Sequence, residues 1–209
     1  LKKLFNTIGR IDLVEYIQET KPLWKERTIP YTRTQAFTNP EAVILKMKQP
    51  YMAGAIIQYL TGARVSDIQK VYNFIVENPN ANHIFIKKSK GGRDRIIDYM
   101  DRPFILNAIK NQVEILKKYF NSPTPDWSTY MKEYTQEVKS AARTCNEIYS
   151  GPHAFRANYA SERFLSLLGD NDQKLISDIS EKCVLSTITE ELGHSRISMA
   201  KYYISSYRR

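Results

Sequence analysis

Hydrophobic and polar positions along the chain predict a mainly helical domain that is interrupted by one β-hairpin. Asn39 can cap a helix and Pro40 can open it, so a helix is expected from Pro40 to about position 47, followed by an apolar helix over 52–60. From 83 to 100 the pattern changes to β-branched residues on both sides of a Gly-Gly pair, which is typical of strand, turn and strand. The chain is therefore expected to be of the α+β class, with a hairpin or a three-stranded antiparallel sheet at one edge of a helical domain.

The second half of the chain alternates helical patterns with proline- or glycine-containing breaks. A polar stretch at 171–182 is expected to be a loop or a short helix. Residues 1–36 show weak periodicity, so they are expected to form a linker or the remnant of a preceding domain, which leaves 37–209 as the main domain. The expected helices of the second half cover 103–120, 126–148, 153–168 and 183–192, and a last helix begins at Ser198.

The charge balance favours a polyanionic partner. The sequence has 31 Lys and Arg against 22 Asp and Glu, a formal charge of +9, and contact with phosphates releases counterions. A solvated basic surface would explain the charge equally well, although 14 Tyr also suit sugar and phosphate contacts. No apolar run reaches the roughly 18 residues of a membrane span, so a soluble protein without a membrane partner is expected. Cys145 and Cys183 have no CxxC spacing, which agrees with thiols in a reducing cytoplasm.

Several short motifs contain candidate catalytic residues. They are Arg64 and Asp67 in TGARVSD, Lys90 in the hairpin turn, His153 and Arg156 in HAFR, His194 in LGH, and Tyr203. Asp67 would fix the Arg64 guanidinium by a bidentate contact, His153 and Arg156 are one helical turn apart, and Tyr203 follows His194 by nine positions (203 − 194). Taken alone, each residue has an ordinary structural explanation, such as a surface arginine beside a capping aspartate. Their joint occurrence indicates a shared site.

In this order and spacing, the motifs resemble the catalytic domain of the tyrosine recombinases, or phage-type integrases, over residues 37–209. The resemblance implies a mainly α fold with a small antiparallel sheet. Tyr202 is a competing nucleophile, but the step from His194 selects Tyr203. The resemblance also implies that Arg64 and Arg156 bind the phosphate, Lys90 is the hairpin lysine, His153 and His194 are the two histidines, Tyr203 is the nucleophile and Asp67 supports Arg64.

The function that the resemblance implies is that of a site-specific recombinase or integrase of a phage or other mobile genetic element. Such an enzyme cleaves and rejoins double-stranded DNA through a 3′-phosphotyrosyl intermediate, and its relatives are similar in acting as homo-tetramers on paired sites, here in the cytoplasm at the nucleoid. By the same resemblance, residues 1–36 would be what remains of an N-terminal DNA-binding domain. A type IB topoisomerase is the nearest alternative, and a non-catalytic basic DNA-binding module is an alternative from another class.

The candidate residues suit phosphodiester cleavage on physical grounds. Attack adds negative charge to an anionic group, and forked hydrogen bonds from Arg64 and Arg156, with a further donor in His194, would stabilise that charge. A tyrosine, with a pKa of about 10 in model compounds, must lose its proton as it attacks, and a histidine, with a pKa of about 6.5, can accept it. Tyr203 and His153 are assigned these two roles.

The hairpin concentrates positive charge beside these residues. Lys90 at its tip would donate a proton to the leaving 5′ oxygen of the DNA. Phosphate contacts are expected from the neighbouring cations Lys87, Lys88, Arg93 and Arg95. No metal or other cofactor is expected, because the three His of the sequence have no zinc-type spacing.

Overall fold

The computed structural model describes residues 35–89, 92–121, 126–168 and 178–204, and it confirms the predicted mixture of helices with one small antiparallel sheet. The expected linker or domain remnant at 1–36 lies almost entirely outside the described residues. The strands are β1 His83–Ser89 and β2 Arg93–Asp98, and a single 3-10 turn covers Val65–Asp67. The helices are α1 Pro40–Lys46, α2 Tyr51–Thr61, α3 Ile68–Glu77, α4 Pro103–Phe120, α5 Trp127–Thr144, α6 His153–Leu168, α7 Asp178–Glu191 and α8 Ile197–Ile204.

Side-chain caps begin two helices where the sequence predicts them. The Asn39 side chain accepts a hydrogen bond from the Ala42 N–H at 3.0 Å at the start of α1. The Asp126 carboxylate accepts one from the Thr129 N–H at 2.7 Å at the start of α5. Both caps satisfy backbone donors that a helix leaves without a partner inside itself, which is why these boundaries can be located from sequence.

Two predicted helix boundaries differ from the structure by more than one residue. Helix α5 ends at Thr144 and not at 148, because Asn146 adopts a positive φ of 56° and the Glu147 side chain binds backbone groups outside the helix. The Glu147 carboxylate accepts hydrogen bonds from the backbone N–H groups of Thr38 at 2.9 Å and Asn39 at 2.7 Å. Helix α7 begins at Asp178 and not at 183. The prediction placed the start too late because the first turn is polar and shows no apolar periodicity.

The hairpin has two antiparallel strands in the described part of the chain, with Phe85 paired to Ile96 and Ile86 to Arg95. The pairing register shifts between Ile86 and Ser89, where Lys88 has a φ of +47°, so β1 contains a β-bulge. After the bulge the Ser89 side chain is buried, whereas regular alternation from Ile86 would turn it outward. The bulge therefore directs Ser89 toward the interior.

Two hydrophobic clusters form the core, and α6 contributes to both. The first contains Phe155 together with α1 to α5 and the inner face of the hairpin, and the second contains Tyr159 together with side chains of α7 and α8. Arg156 lies between these two positions on α6, so it is placed at the boundary of the clusters. Within the described ranges, every helix is too short or too polar to cross a membrane.

Candidate active site

Arg156 is buried where α6 meets the ends of two other elements. It has no solvent exposure, and its Nη1 and Nη2 donate hydrogen bonds to the backbone oxygens of Gly62 and Leu192, respectively. Nη2 also lies 3.1 Å from Nε2 of His194. The guanidinium therefore joins the residue after α2 to the turn after α7.

Arg95 joins the same two segments from the inner face of β2. Its Nε donates to the backbone oxygen of Glu191 at 2.7 Å, and its Nη2 donates to that of Thr61 at 3.1 Å. The Nη1 atom is 3.7 Å from Oδ2 of Asp67, and the whole residue is 1% exposed. DNA has no access to a side chain in this position, so the prediction that Arg95 contacts DNA is corrected to an internal role.

Arg64 is held through a hydroxyl group and not by the expected bidentate contact. Its Nη1 donates to Oγ of Ser89 at 2.5 Å, and that hydroxyl donates to Oδ2 of Asp67 at 2.7 Å. The direct distance from Nη1 of Arg64 to Oδ2 of Asp67 is 3.6 Å, which leaves a weaker ion pair. Ser89 is a site residue that the motifs do not include, because its inward position depends on the bulge at Lys88.

Asp67 is a fully buried carboxylate that three cations share. Besides Arg64 and Arg95, Nζ of Lys70 lies 3.4 Å from its Oδ1. One carboxylate thus fixes the positions of guanidinium groups from two different parts of the chain. The predicted role of Asp67 as a support for Arg64 agrees with this arrangement.

His194 is positioned by the end of α7. Gly193 adopts a φ of +65°, its N–H donates to the Glu190 oxygen at 2.8 Å, and the His194 N–H donates to the Thr189 oxygen at 2.8 Å. These two bonds form a Schellman motif, which requires a left-handed residue where the glycine stands. The helix therefore ends within one residue of the predicted end at 192.

The turn at Gly193 has no room for a side chain. A Cβ at this position would lie 2.6 Å from Cγ of Arg95, whereas a Cβ at Gly92, with a similar φ of +75°, would meet nothing within 4 Å. We expect Gly193→Ala and Gly92→Ala both to lose about 1–2 kcal/mol of unfolding free energy from backbone strain. Gly193→Ala should lose about 1–3 kcal/mol more from overpacking, measured by urea denaturation. Equal losses in the two variants would contradict the close contact with Arg95.

Tyr203 packs against both His194 and Arg156. Its ring centroid is 5.7 Å from that of His194, with the rings 29° from parallel, and 5.7 Å from the guanidinium carbon of Arg156. All three residues belong to the same chain, so the site can be assembled without a second copy. The side chain of the competing residue, Tyr202, lies outside the described part of the structure.

The site has an excess of positive charge. Burial, together with repulsion from Arg95 and Arg64, lowers the pKa of Arg156 to about 9, and the Tyr203 hydroxyl partly offsets this. Burial also lowers the pKa of Arg95 to about 10, although Asp67 acts in the opposite direction. Cations that are destabilised in this way would be stabilised by an anion bound among them.

His194 is uncharged near neutral pH in this environment. Burial, followed by repulsion from Arg156, Arg64, Arg95 and Arg93, lowers its pKa to about 3. Because an arginine N–H can only donate, Nε2 of His194 acts as the acceptor toward Arg156. His194 can donate a hydrogen bond to a phosphate from Nε2 only after it has released this contact and gained a proton there.

The lowered pKa of His194 makes stability depend on pH. The unfolded chain, in which a histidine titrates at about 6.5, binds the extra proton before the folded protein does, so stability falls as the pH decreases from about 6.5 toward 3. Urea midpoints measured at about pH 7 and about pH 5 should therefore differ less in His194→Gln than in the unmutated protein. His83→Gln, on β1, is the control for the loss of a histidine elsewhere in the fold. An unchanged difference in His194→Gln would contradict the assignment.

The remaining predicted residues occupy the surface or lie outside the described ranges. His153 is the first residue of α6, exposed and one turn before Arg156. Lys90 is outside the described residues. The hairpin cations Lys87, Lys88 and Arg93 are exposed, as a contact with DNA requires.

Glu191 is a second site residue that the motifs do not identify. It is 6% exposed, accepts a hydrogen bond from the Tyr159 hydroxyl at 2.7 Å, and pairs with Nη2 of Arg163 at 3.1 Å. Because Glu191 comes two residues before Gly193, this network anchors the turn that places His194. No sequence pattern distinguishes Glu191 from the exposed glutamate beside it, since both are part of the same helix end.

No family model matches this chain, and no curated protein matches it. In the described part of the chain, no group of three or more His, Cys, Asp or Glu side chains is arranged to hold a metal ion. The geometry around Tyr203 is therefore the main indication of function.

Proposed function

We propose that this protein is a DNA strand-cleaving and strand-rejoining enzyme of the tyrosine recombinase type, with Tyr203 as its nucleophile. The observation that supports this most directly is the packing of the Tyr203 ring at 5.7 Å from both the His194 ring and the Arg156 guanidinium. A phenol beside a buried cation and an imidazole is suited to attack on a phosphodiester, whose charge increases as the bond forms.

In the proposed first step, the Tyr203 oxygen forms a bond to phosphorus and the bond from phosphorus to the 5′ oxygen breaks. The product is a 3′-phosphotyrosyl link and a free 5′ hydroxyl, and the reverse attack by another 5′ hydroxyl rejoins the strand. His153 accepts the phenolic proton and Lys90 protonates the leaving oxygen. Arg64 and Arg156 stabilise the added negative charge on the non-bridging oxygens.

The burial of Arg156 adds a conformational step to this mechanism. Since this side chain has no solvent exposure and contacts the Tyr203 ring, a phosphate oxygen can reach it only after that ring has moved. Tyr203 belongs to the short helix α8, which follows the turn at Gly193. We infer that α8 shifts when DNA binds, so that the phosphate enters between Arg156 and the phenol.

A second candidate is a non-catalytic DNA-binding module with the same fold. The observation that favours it is that both terminal nitrogens of Arg156 are bound to backbone oxygens, an arrangement that is common for purely structural arginines. The exposed cations Lys87, Lys88 and Arg93 would contact phosphates in either case.

The decisive experiment is capture of a covalent intermediate. The protein is incubated with a pool of nicked duplexes of randomised sequence, in which a short strand diffuses away after cleavage, and the products are separated on a denaturing gel. A protein–DNA adduct supports the proposal, and sequencing of the captured DNA identifies the preferred site. DNA retention without any adduct would favour the binding module, and relaxation of supercoiled plasmid that needs no paired sites would favour a topoisomerase.

We propose that the protein binds double-stranded DNA and acts as a homo-tetramer on paired sites. It would be encoded by a phage or another mobile element and would act at the nucleoid. Assembly can be followed by the mass of the complex on DNA with one or two copies of the captured site. A tetramer only in the presence of two sites would support it.

A further inference from the structure

Arg95 is a buried guanidinium that takes no direct part in the proposed chemistry. It lies on β2, opposite Ile86, and its side chain faces the interior of the domain. A buried cation lowers stability unless its N–H donors and its charge have partners. An apolar side chain would therefore fill the same space with a smaller loss of free energy. The residues that it binds indicate what else it does.

The two hydrogen-bond acceptors of Arg95 and its ion-pair partner belong to the segments that contain the proposed reacting groups. The Thr61 oxygen, 3.1 Å from Nη2, precedes Arg64 by three residues. The Glu191 oxygen, 2.7 Å from Nε, precedes His194 by three residues. The Asp67 carboxylate, 3.7 Å from Nη1, is the group that orients Arg64 through Ser89.

Arg95 and Arg156 bind neighbouring oxygens of the same two segments. Arg95 binds those of Thr61 and Glu191, and Arg156 binds those of the next residues, Gly62 and Leu192. The two guanidinium groups thus fix the separation between the segments at two successive positions. Arg156 contacts Tyr203 as well, whereas Arg95 lies on the side of the hairpin.

The packing around the Arg95 stem agrees with this arrangement. A Cβ at Gly193 would lie 2.6 Å from Cγ and 2.7 Å from Cδ of Arg95, so the stem lies directly against the turn before His194. The position of that turn therefore depends on the arginine side chain itself and not only on its charge.

We propose that Arg95 is a positioning residue for strand cleavage, which sets the distance between Arg64 and His194 by binding the Thr61 oxygen, the Glu191 oxygen and the Asp67 carboxylate together. This inference rests on the proposed function, since cleavage is the reaction that the positioning serves. A forked donor is required, because a lysine ammonium at the end of a flexible stem cannot bond the Thr61 and Glu191 oxygens in fixed directions while it also lies beside Asp67.

Two substitutions separate the geometry of Arg95 from its charge. Arg95→Lys retains the charge and loses the fork, whereas Arg95→Met retains most of the stem and loses both. With the captured DNA at saturation, single-turnover adduct formation should fall about 100-fold in each variant, the loss expected from a misplacement of about 1 Å. DNA retention should be unchanged, because Arg95 does not reach the surface.

A second measurement reports on the charge and does not require cleavage. The groups that face His194 are Arg156 on α6, Tyr203 on α8, Arg64 after α2, and Arg93 and Arg95 on β2. Because Arg95 contributes to the lowered pKa of His194, the imidazole should titrate at higher pH in Arg95→Met when it is followed by NMR. In Arg95→Lys, which retains the charge, the titration should remain close to that of the unmutated protein.

Ile97→Ala is the matched control, since Ile97 is a fully buried residue on the same face of β2. It should lower stability while the folded fraction forms adduct at the normal rate, which separates positioning from general destabilisation. Adduct formation at the normal rate in Arg95→Lys would overturn the proposal, and so would an unchanged His194 titration in Arg95→Met. If the unmutated protein forms no adduct, the proposed function fails, while the titration still decides whether Arg95 acts on His194.

Discussion

Tyr203→Phe is expected to abolish the covalent protein–DNA adduct, with a loss of about 10⁴-fold or more in the rate of its formation. Phenylalanine keeps the ring that packs on His194 and Arg156 and removes only the oxygen that would bond to phosphorus. DNA retention, measured by filter binding at several salt concentrations, should be unchanged, because one phenol adds little to a contact spread over many phosphates.

The matched control for this variant is Tyr202→Phe, which changes the neighbouring phenol and should leave adduct formation intact. An adduct that persists in Tyr203→Phe and disappears in Tyr202→Phe would reassign the nucleophile. An adduct that survives in both variants would contradict the assignment of Tyr203 as the nucleophile.

Arg156→Ala is expected to have the second largest effect, and it should act on both cleavage and stability. Removal of one preorganised donor to a developing charge lowers the rate by about 10²–10³-fold. The substitution also leaves the buried oxygens of Gly62 and Leu192 without their donor, which costs about 1–3 kcal/mol for each unpaired group. Single-turnover cleavage and urea denaturation of the same preparation measure the two effects.

Comparison with Arg64→Ala separates these two roles of arginine. The Arg64 side chain is 11% exposed and bonds to Ser89, so its loss should reduce cleavage by a similar factor with a smaller loss of stability. Arg143→Ala, which removes an exposed arginine from α5, controls for the change in net charge and should leave cleavage intact. A loss of DNA retention in step with cleavage would contradict the assignment of Arg64 and Arg156 to the reacting phosphate.

Local chemistry made much of the fold predictable from the sequence. Asn39 and Asp126 cap helices because their side chains accept bonds from backbone N–H groups three residues later. Gly62 and Gly193 end helices because both adopt positive φ, which glycine tolerates. Such signals depend on a few neighbouring residues, so they can be recognised without knowledge of the tertiary structure.

The prediction that Arg95 contacts DNA was wrong, and Ser89 was not identified, because strand register cannot be fixed locally. Ile96 and Ile97 are adjacent and equally apolar, so the sequence does not decide which of them faces the core, and a shift of one residue exchanges the two faces. The structure buries Ile97 and leaves Ile96 60% exposed, which turns Arg95 inward with Ile97. Ser89 faces inward only because of the bulge, and the burial of Glu191 depends on side chains from α6.

The position of Arg156 between the two hydrophobic clusters suggests a way in which the proposed strand cleavage would be controlled. Arg64 and Asp67 lie in the sequence beside members of the first cluster, whereas Tyr203 packs against the second cluster, which includes the Leu192 that precedes His194 by two residues. A local opening that separates α7 and α8 from the rest would disperse the reacting groups while most of the core stays folded, and such openings require less free energy than global unfolding. A partner that binds α7 and α8 only when they are packed against the rest of the domain would therefore favour the proposed strand cleavage. A partner that binds them only in the opened arrangement would inhibit it.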